Sequence, residues 1–367
     1  MAKTPISADS HITEPPNCYV DYIDPAYRDI APHVVEHERF GDIFVIDGMD
    51  KPIPMGLIAA AGRDPKILKW GGVKIKDWHR GGWDANYRLA DQDRDGIAAE
   101  IIYPSVGMML CSHSDFDYKH ACFAAYNRWL QEYCAVAPDR LFGMAQLAMR
   151  SVKDGIEELE AAKEMGFRGV MMPGEPGHED YDHCDYDPFY SAAVALGLPL
   201  SFHILTSGGV SLERGRGPKI NSFPSVMRAN QDILGMFIFG RVFERHPALK
   251  LVCVEADAGW APYYMQRMDY HYRVHRHWMK FEAMARPPSE YFKENIYLTF
   301  QDDWIAFRYR ADLNLRRLMW ANDFPHTDST WPNSQALLAR HTADLGEQER
   351  DWILHDNVAT LYGLEAA

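Results

Sequence analysis

Eight short apolar segments, nearly all separated by segments with helical periodicity, recur between residues 6 and 321 of this chain. The pattern predicts β-strands at 6–11, 98–103, 141–147, 167–172, 198–203, 249–254, 296–300 and 317–321. It predicts helices at 88–95, 118–136, 152–165, 187–196, 225–239, 263–284, 303–312, 334–340 and 347–362. Eight such alternations favour a closed (β/α)8 TIM barrel of the α/β class over an open doubly wound sheet. No G-x-G-x-x-G or Walker A sequence follows a strand, which argues against a nucleotide-binding domain.

Residues 13–86 interrupt the regular pattern directly after the first strand. They are rich in proline and glycine and contain no long periodic run. The segment 40–47 is typical of a short strand in an antiparallel hairpin, with a turn at Asp47-Gly48. We therefore expect a single barrel domain over residues 1–367, in which 13–86 is an insertion that lies over the barrel mouth as a lid and selects substrate.

The composition limits the classes of partner. Hydrophobic residues make up 47% and charged residues 25%, as in a globular protein with a large core. No apolar run approaches the ~20 residues of a membrane span, and the first residues lack a signal-peptide stretch, so we expect a cytoplasmic protein without a membrane partner. A net charge of -14 argues against nucleic acid as a partner. Six cysteines without a C-x-x-C pair argue against a disulfide framework and a thiolate zinc site.

Potential metal ligands stand at the C-terminal ends of four predicted strands. The first strand carries Asp9 and His11, which face the same way because residues i and i+2 of a strand do. The fifth, sixth and eighth strands end in His203, Glu255 and Asp323. Taken singly, each is more often a core histidine, an acid at a helix start or a turn cap. Because the reactive groups of such barrels cluster at this end of the strands, the set together predicts a metal site.

Several longer motifs accompany these residues. They are Asp9-x-His11, RLADQDRDGI, PDRLFGMAQL, GFRGVMMP, YDPFYSAAVALGLPLSFH, FERHPALKLVCVEADAGW, MWANDFPH and HDNVATLYGL. In the order and spacing of these motifs the chain resembles the amidohydrolase-related family (amidohydrolase 2), which contains aminocarboxymuconate-semialdehyde decarboxylase and the resorcylate-type decarboxylases. The resemblance covers the first strand and everything from Arg88 to the end.

The resemblance implies one divalent metal ion held by Asp9, His11, His203 and Asp323. Zinc is the expected ion, with manganese and iron as alternatives, because two imidazoles and two carboxylates suit all three. The candidate catalytic residues are Asp323, Glu255 and His326. Glu255 departs from the family pattern, since the family's decarboxylases usually carry a catalytic histidine on the sixth strand.

Two reactions fit such a centre. In hydrolysis, which we expect, a metal-bound water attacks an amide, ester, lactone or vinylogous ketone while Asp323 accepts its proton. The alternative is non-oxidative decarboxylation of a hydroxylated aromatic acid, in which a protonated Asp323 or Glu255 delivers the ring proton. A metal-free barrel that only binds a ligand is a second alternative, and the retention of all four expected ligands counts against it.

The expected substrate is a small, carboxylated aromatic or ring-derived compound. Arg214 and Arg216, in the loop after the fifth strand, are candidate anchors because a guanidinium binds a carboxylate bidentately. His178, in the loop after the fourth strand, is a further candidate at the rim. Aromatic residues between Trp260 and Trp278 would suit a helix-mediated homodimer.

Overall fold

Strands and helices alternate through the described part of the chain, residues 2–208 and 217–364, in a computed structural model. The strands are β1 (Ile6–His11), β2 (His33–His37), β3 (Gly41–Val45), β4 (Ile53–Pro54), β5 (Ala99–Tyr103), β6 (Leu141–Gly143), β7 (Ala145–Gln146), β8 (Val170–Met171), β9 (Leu200–His203), β10 (Leu251–Val254), β11 (Ile296–Phe300) and β12 (Leu318–Trp320). The α-helices are α1 (Ala85–Asp95), α2 (Val106–Leu110), α3 (Phe116–Cys134), α4 (Val152–Glu164), α5 (Asp187–Leu196), α6 (Arg228–Phe239), α7 (Val242–Arg245), α8 (Ala261–His275), α9 (Pro288–Asn295), α10 (Trp304–Arg308), α11 (Ser334–His341), α12 (Glu347–Asp351) and α13 (Asn357–Tyr362).

The parallel strands form a closed ring. One sheet has the order β1-β5-β6 and the other the order β12-β11-β10-β9-β8-β7. Only Met144 separates β6 from β7, so these two form one barrel strand that belongs to both sheets. On the opposite side, the backbone N–H of Asp323 donates to Asp9 O at 3.1 Å, and that of His11 donates to Phe324 O at 2.6 Å. These bonds close the seam between β12 and β1, and the predicted (β/α)8 barrel is confirmed.

Helix ends follow the local chemistry of the sequence. The side chain of Asp84 caps the start of α1 by accepting from Asn86 N, and α1 ends at Gly96 with a φ of 70°. Helix α5 ends in the same way at Gly197, with a φ of 66°. Only glycine adopts this left-handed conformation without a steric penalty, so both turns direct the chain promptly into the next barrel strand.

The predicted helix 263–284 is shorter than expected. Helix α8 ends at His275, and the chain reverses in a turn where Lys280 has a φ of 55°. The N–H of Phe281 donates to Arg276 O at 2.8 Å, which is the outer bond of a Schellman motif. The turn packs the ring of Phe281 edge-on against Phe239, so tertiary burial overrides the helical periodicity of the sequence.

The predicted helix 347–362 is interrupted. It consists of α12, a π-helical turn at Trp352–Asp356 and α13. Ile353, Leu354 and His355 of that turn are buried. A π-helical turn changes the angular position of successive side chains, and here it keeps both halves against the barrel.

Residues 13–86 carry a three-stranded antiparallel sheet in the order β2-β3-β4. The predicted strand at 40–47 is β3, and the predicted turn at Asp47-Gly48 lies in its connection to β4, where Met49 N donates to Ile46 O at 3.1 Å. The N–H groups of Ala60 and Ala61 both donate to Pro325 O at 2.9 Å, so the segment is tied to the loop that follows β12. Its role as a lid stays a prediction.

The described residues include no helix that is both long and apolar enough to cross a membrane.

The six cysteines are all free, as their spacing predicts.

Candidate metal centre

The ends of four barrel strands place five side chains around one point. Asp9 and His11 lie on β1, and His203 is the last residue of β9. Glu255 follows β10 directly with a φ of 57°, and Asp323 follows β12 with a φ of 52°. The left-handed backbone turns both residues out of their strands, a conformation that is uncommon for residues with a Cβ atom.

The potential ligand atoms of these side chains are close to one another. His203 Nε2 lies 3.1 Å from Glu255 Oε2 and 3.6 Å from Asp9 Oδ1. His11 Nε2 lies 3.4 Å from Asp9 Oδ1, 3.5 Å from Glu255 Oε2 and 3.3 Å from Asp323 Oδ1. One atom each of Asp9, His11, His203 and Glu255 lies within 4.8 Å of all the others. Separations of this size suit ligands around one ion, since metal–ligand bonds of about 2 Å join each donor to the centre.

The facing atoms are buried and have no hydrogen-bond partner among the described residues. This holds for both carboxylate oxygens of Asp9 and of Asp323, for Nε2 of His11 and of His203, and for Glu255 Oε2. The side chains of Asp9, His11, His203 and Asp323 are fully buried, and that of Glu255 is 12% exposed. Burying so many unpaired polar atoms is unfavourable unless a cation binds them. The residues therefore fit a divalent metal ion.

Hydrogen bonds at the Nδ1 atoms of His11 and His203 fix the direction in which the Nε2 atoms of the two rings face. Nδ1–H of His11 donates to Pro104 O at 2.9 Å, and Nδ1–H of His203 donates to Ile204 O at 3.0 Å. These bonds leave Nε2 of each ring facing the centre, where it presents a lone pair once an ion takes the place of its proton. Hydrogen bonds of this kind orient metal-binding histidines in general.

The crowded ionisable side chains at the centre shift one another's pKa values. Burial raises the pKa of Asp323 well above its ordinary value, and the carboxylates of Glu255 and Asp9 raise it further. Burial acts to lower the pKa of His203, but Asp9 and Glu255 outweigh this and raise the pKa to about 10. Burial acts to raise the pKa of Glu255, but the imidazoles of His11 and His203 lower it overall. The raised pKa values of Asp323 and His203 both favour additional positive charge at the centre, which is what a divalent cation supplies.

His326 lies beside the ligand group and is held by a serine. Its Nε2–H donates to Ser105 Oγ at 2.8 Å, and the Ser105 hydroxyl donates to Ile12 O at 2.6 Å. This arrangement leaves Nδ1, which lies 3.1 Å from Asp323 Oδ1, as the acceptor. Burial, with a contribution from His11, lowers the pKa of His326 well below its ordinary value, so the imidazole is neutral. The separation of 3.1 Å is one at which a protonated Asp323 can donate to His326.

Arg88 supports the barrel seam beneath the centre. Its guanidinium donates to the carbonyl oxygen of His11 at 2.6 Å and to Glu100 Oε2 at 2.6 Å. Glu100 Oε1 also accepts from Asn322 Nδ2 at 3.2 Å. Arg88 and Glu100 are both buried. The network joins β1, β5 and the end of β12, and so fixes the backbone on which His11 and Asp323 are placed.

Residues 8–364 match the sequence model of the family described as Amidohydrolase. The chain belongs to the amidohydrolase family. This assignment confirms the resemblance and makes the protein an enzyme, a hydrolase or a carboxy-lyase.

Two decarboxylases are similar in sequence to this amidohydrolase. The decarboxylase orsB of Emericella nidulans is 24% identical over 263 residues, which cover 65% of this chain and 76% of that protein. The gamma-resorcylate decarboxylase of Rhodococcus jostii is 25% identical over 258 residues, which cover 65% of this chain and 75% of that protein.

Solved structures of the family share the fold. An amidohydrolase of Mycobacterium avium subsp. paratuberculosis superposes with a TM-score of 0.81 at 18% identity, covering 99% of this chain and 100% of the other. The 5-carboxyvanillate decarboxylase of Novosphingobium aromaticivorans, complexed with manganese and 4-hydroxy-3-methoxy-5-nitrobenzoic acid, superposes with a TM-score of 0.71 at 20% identity, covering 99% of this chain and 96% of the other. That structure binds a divalent metal, and zinc as the ion of the present amidohydrolase stays a prediction.

The structure of the amidohydrolase brings together six of the residues expected at the site, which are Asp9, His11, His203, Glu255, Asp323 and His326. His178 is not among them. Its side chain is 58% exposed, and its Nε2 lies 3.9 Å from Asp185 Oδ2. Its role in substrate binding stays a prediction. Arg214 and Arg216, the expected carboxylate anchors, lie outside the described residues.

Sequence reasoning missed Ser105 and the role of Arg88. Ser105 follows the strand end Tyr103-Pro104, so the same rule that selects Asp9 and His203 could have selected it. Arg88 belongs to the motif RLADQDRDGI, but the sequence gives no sign that a helical arginine reaches the carbonyl of His11. Only the tertiary structure brings β1, α1 and β5 together.

Proposed function

We propose that this amidohydrolase-family enzyme removes the carboxyl group of a hydroxylated aromatic acid without oxidation. The observation that carries the proposal is the separation of 3.1 Å between Asp323 Oδ1 and His326 Nδ1, across which a proton can pass beside the ligand group. Both sequence relatives named above are decarboxylases, which supports decarboxylation over the hydrolysis expected from the sequence.

Decarboxylation of an aromatic ring needs a proton at the carbon that loses its carboxylate. When bound, the ion would be held by Asp9, His11, His203 and Asp323, and it would supply a Lewis acid for the oxygens of a phenolate and the adjacent carboxylate. The proton on Asp323 moves to the ring carbon, the bond between that carbon and the carboxylate breaks, and its electron pair restores the aromatic ring as carbon dioxide leaves. The next proton reaches the pair from solvent.

The difference in burial between Asp323 and His326 supports a route for that proton. The side chain of Asp323 is fully buried, whereas that of His326 is 12% exposed. We infer that the proton from solvent reaches Asp323 through His326, the more exposed of the two side chains. Ser105 keeps the imidazole oriented for this exchange by accepting its Nε2–H.

Hydrolysis is the second candidate, and one observation favours it. Both oxygens of Asp323 lack a hydrogen-bond partner among the described residues, so one oxygen is available to accept a proton from an attacking water. The same unpaired atoms argue against a metal-free binding protein, because such a barrel gains nothing from burying them together.

The test compares the two reactions in one experiment. The enzyme, reconstituted with manganese or with zinc, is incubated in deuterium oxide with 2,6-dihydroxybenzoate, 5-carboxyvanillate and related hydroxybenzoates. We expect carbon dioxide and a product with one deuterium at the carbon that carried the carboxylate. Release of no carbon dioxide from this series, together with turnover of a lactone or amide panel in oxygen-18 water, would replace decarboxylation by hydrolysis.

A further inference from the structure

We infer that Glu255 is itself a protein ligand of the ion, in addition to the two imidazoles and two carboxylates that the family resemblance implies. Its Oε2 lies 3.1 Å from His203 Nε2 and 3.5 Å from His11 Nε2. It belongs to the group of four whose ligand atoms all lie within 4.8 Å of one another, together with Asp9. The inference concerns ion binding and holds for either reaction.

The contacts of Glu255 Oε2 are those of a ligand and not those of a hydrogen-bonded carboxylate. The atom is buried and has no hydrogen-bond partner among the described residues, although His203 Nε2 is within reach. The Nδ1–H groups of His11 and His203 donate to Pro104 O and Ile204 O, so both Nε2 atoms are directed toward Glu255 Oε2. Two imidazole nitrogens and a carboxylate oxygen that converge on one point are a donor set typical of a divalent cation.

The backbone holds Glu255 in this position. The residue leaves β10 in a left-handed conformation with a φ of 57°. Its N–H donates to Oγ1 of Thr299, on the neighbouring strand β11, at 2.8 Å. The side chain is therefore directed toward His203 by a fixed main chain, and a ligand needs such fixed placement.

A fifth ligand of this kind changes which ion the site prefers. Where the family's decarboxylases usually carry an imidazole on the sixth strand, this chain offers a third carboxylate. Carboxylate oxygens favour hard ions such as manganese, whereas imidazole nitrogens favour softer ions such as zinc. We therefore expect Glu255 to shift the preference of the site from zinc toward manganese.

Manganese binding to the metal-free protein tests the inference without measuring activity. Free manganese is followed by electron paramagnetic resonance in the wild type, in Glu255→Gln and in Glu255→His. Loss of a partner that merely orients a ligand costs about 10–100-fold in affinity, and loss of a direct ligand costs at least as much. We expect Glu255→Gln to bind manganese at least about 10-fold more weakly, and Glu255→His to raise the affinity for zinc relative to manganese.

Asp328→Asn is the matched control. Asp328 is an acid that interacts electrostatically with Glu255, but it belongs to no group of potential metal ligands among the described residues. We expect its manganese affinity to stay within about twofold of the wild type, since weak surface charge effects are of this size. An equal loss in Asp328→Asn and Glu255→Gln would show that charge alone matters and would overturn the assignment, as would wild-type affinity in Glu255→Gln.

A crystal structure of the zinc- or manganese-loaded wild type decides the point should the variants fail to fold. A Glu255 oxygen within about 2.2 Å of the ion supports direct coordination. A separation beyond about 3 Å overturns it, whatever the variants show. Failure of the decarboxylation assay affects neither readout, so the two proposals fail separately.

Discussion

The imidazole of His326 stacks on that of His11, with ring centroids 3.8 Å apart and ring planes inclined by 20°. One face of His326 is therefore covered by a ring directed at the ion, while its two nitrogens contact Asp323 and Ser105. The stacking and the two contacts define one orientation of His326. Of the three partners, His11, Asp323 and Ser105, only the serine is not titratable. Its removal therefore tests the orientation of His326 without changing a titratable group.

Ser105→Ala is expected to lower kcat by about tenfold or more with little change in manganese affinity, because the orientation of a proton-transferring group is lost while the ion's ligands remain. Steady-state kinetics beside a manganese titration provide the measurement. Ser112→Ala is the control, since the Ser112 hydroxyl is exposed and donates only to Met109 O. Equal activity of both variants would remove Ser105 from the mechanism.

Asp323→Asn is expected to abolish most activity, with kcat reduced at least about 100-fold, because an amide cannot carry the transferable proton. Asparagine tolerates the left-handed backbone at this position, so the fold should persist. Circular dichroism and kcat are measured on the same sample. A folded variant that retains more than a tenth of the wild-type rate would place the proton donor elsewhere.

Arg88→Met is expected to destabilise the protein by about 3–5 kcal/mol, since it leaves the Glu100 carboxylate buried and uncompensated. Urea unfolding measures the loss. The double variant Arg88→Met/Glu100→Gln should recover part of it. Arg150→Met breaks a pair in which Asp117 is 67% exposed, and should cost less than about 1 kcal/mol. Similar losses of unfolding free energy in Arg88→Met and Arg150→Met would contradict a special role for Arg88 at the barrel seam.

Removal of the ion with a chelator is expected to lower Tm, because a ligand present at 100 times its Kd stabilises the folded state by about 2.7 kcal/mol. Asp9→Asn should have opposite effects in the two states. Without metal, the substitution removes one of three crowded carboxylates and raises Tm. With metal, it removes a ligand and reduces the rise in Tm that the ion produces. Differential scanning calorimetry with and without manganese gives both values. A Tm that does not respond to the chelator would argue against a bound ion.

Helix α8 and the turn after it expose a stripe of large side chains. Tyr263 is 72% exposed, Trp278 69% and Met279 61%. We predict that this stripe pairs two copies of the chain, and that sedimentation velocity gives twice the 42.0 kDa of one chain. Trp278→Glu should yield monomers, and Trp304→Glu, at an exposed tryptophan elsewhere, should not. A wild-type monomer would disprove the prediction.

The sequence predicts the barrel strands and the position of the ligands well, because both depend on local patterns: apolar runs, their order and the polar residue at each strand end. It does not predict contacts between distant segments. The end of α8 depends on how Phe281 packs against Phe239, and the orientation of His326 depends on the hydroxyl of Ser105, which lies between β5 and α2. Glu255 could be located from its sequence position, but its proximity to both imidazoles follows from a left-handed backbone that no pattern indicates.

The seam between the first and last barrel strands also sets when the ligand set is complete. Ser7 and Asn322 are hydrogen-bonded although they are 315 positions apart, and the ligands on either side of them are separated by nearly the same length of chain. During synthesis, Asp9 and His11 emerge long before Asp323 does. His203 and Glu255 follow, and Asp323 comes last, so the complete set of ligands is assembled only when β12 docks against β1. Closure of the ring and completion of the site are thus one and the same folding event, because the bonds that join β12 to β1 also place Asp323 beside His11.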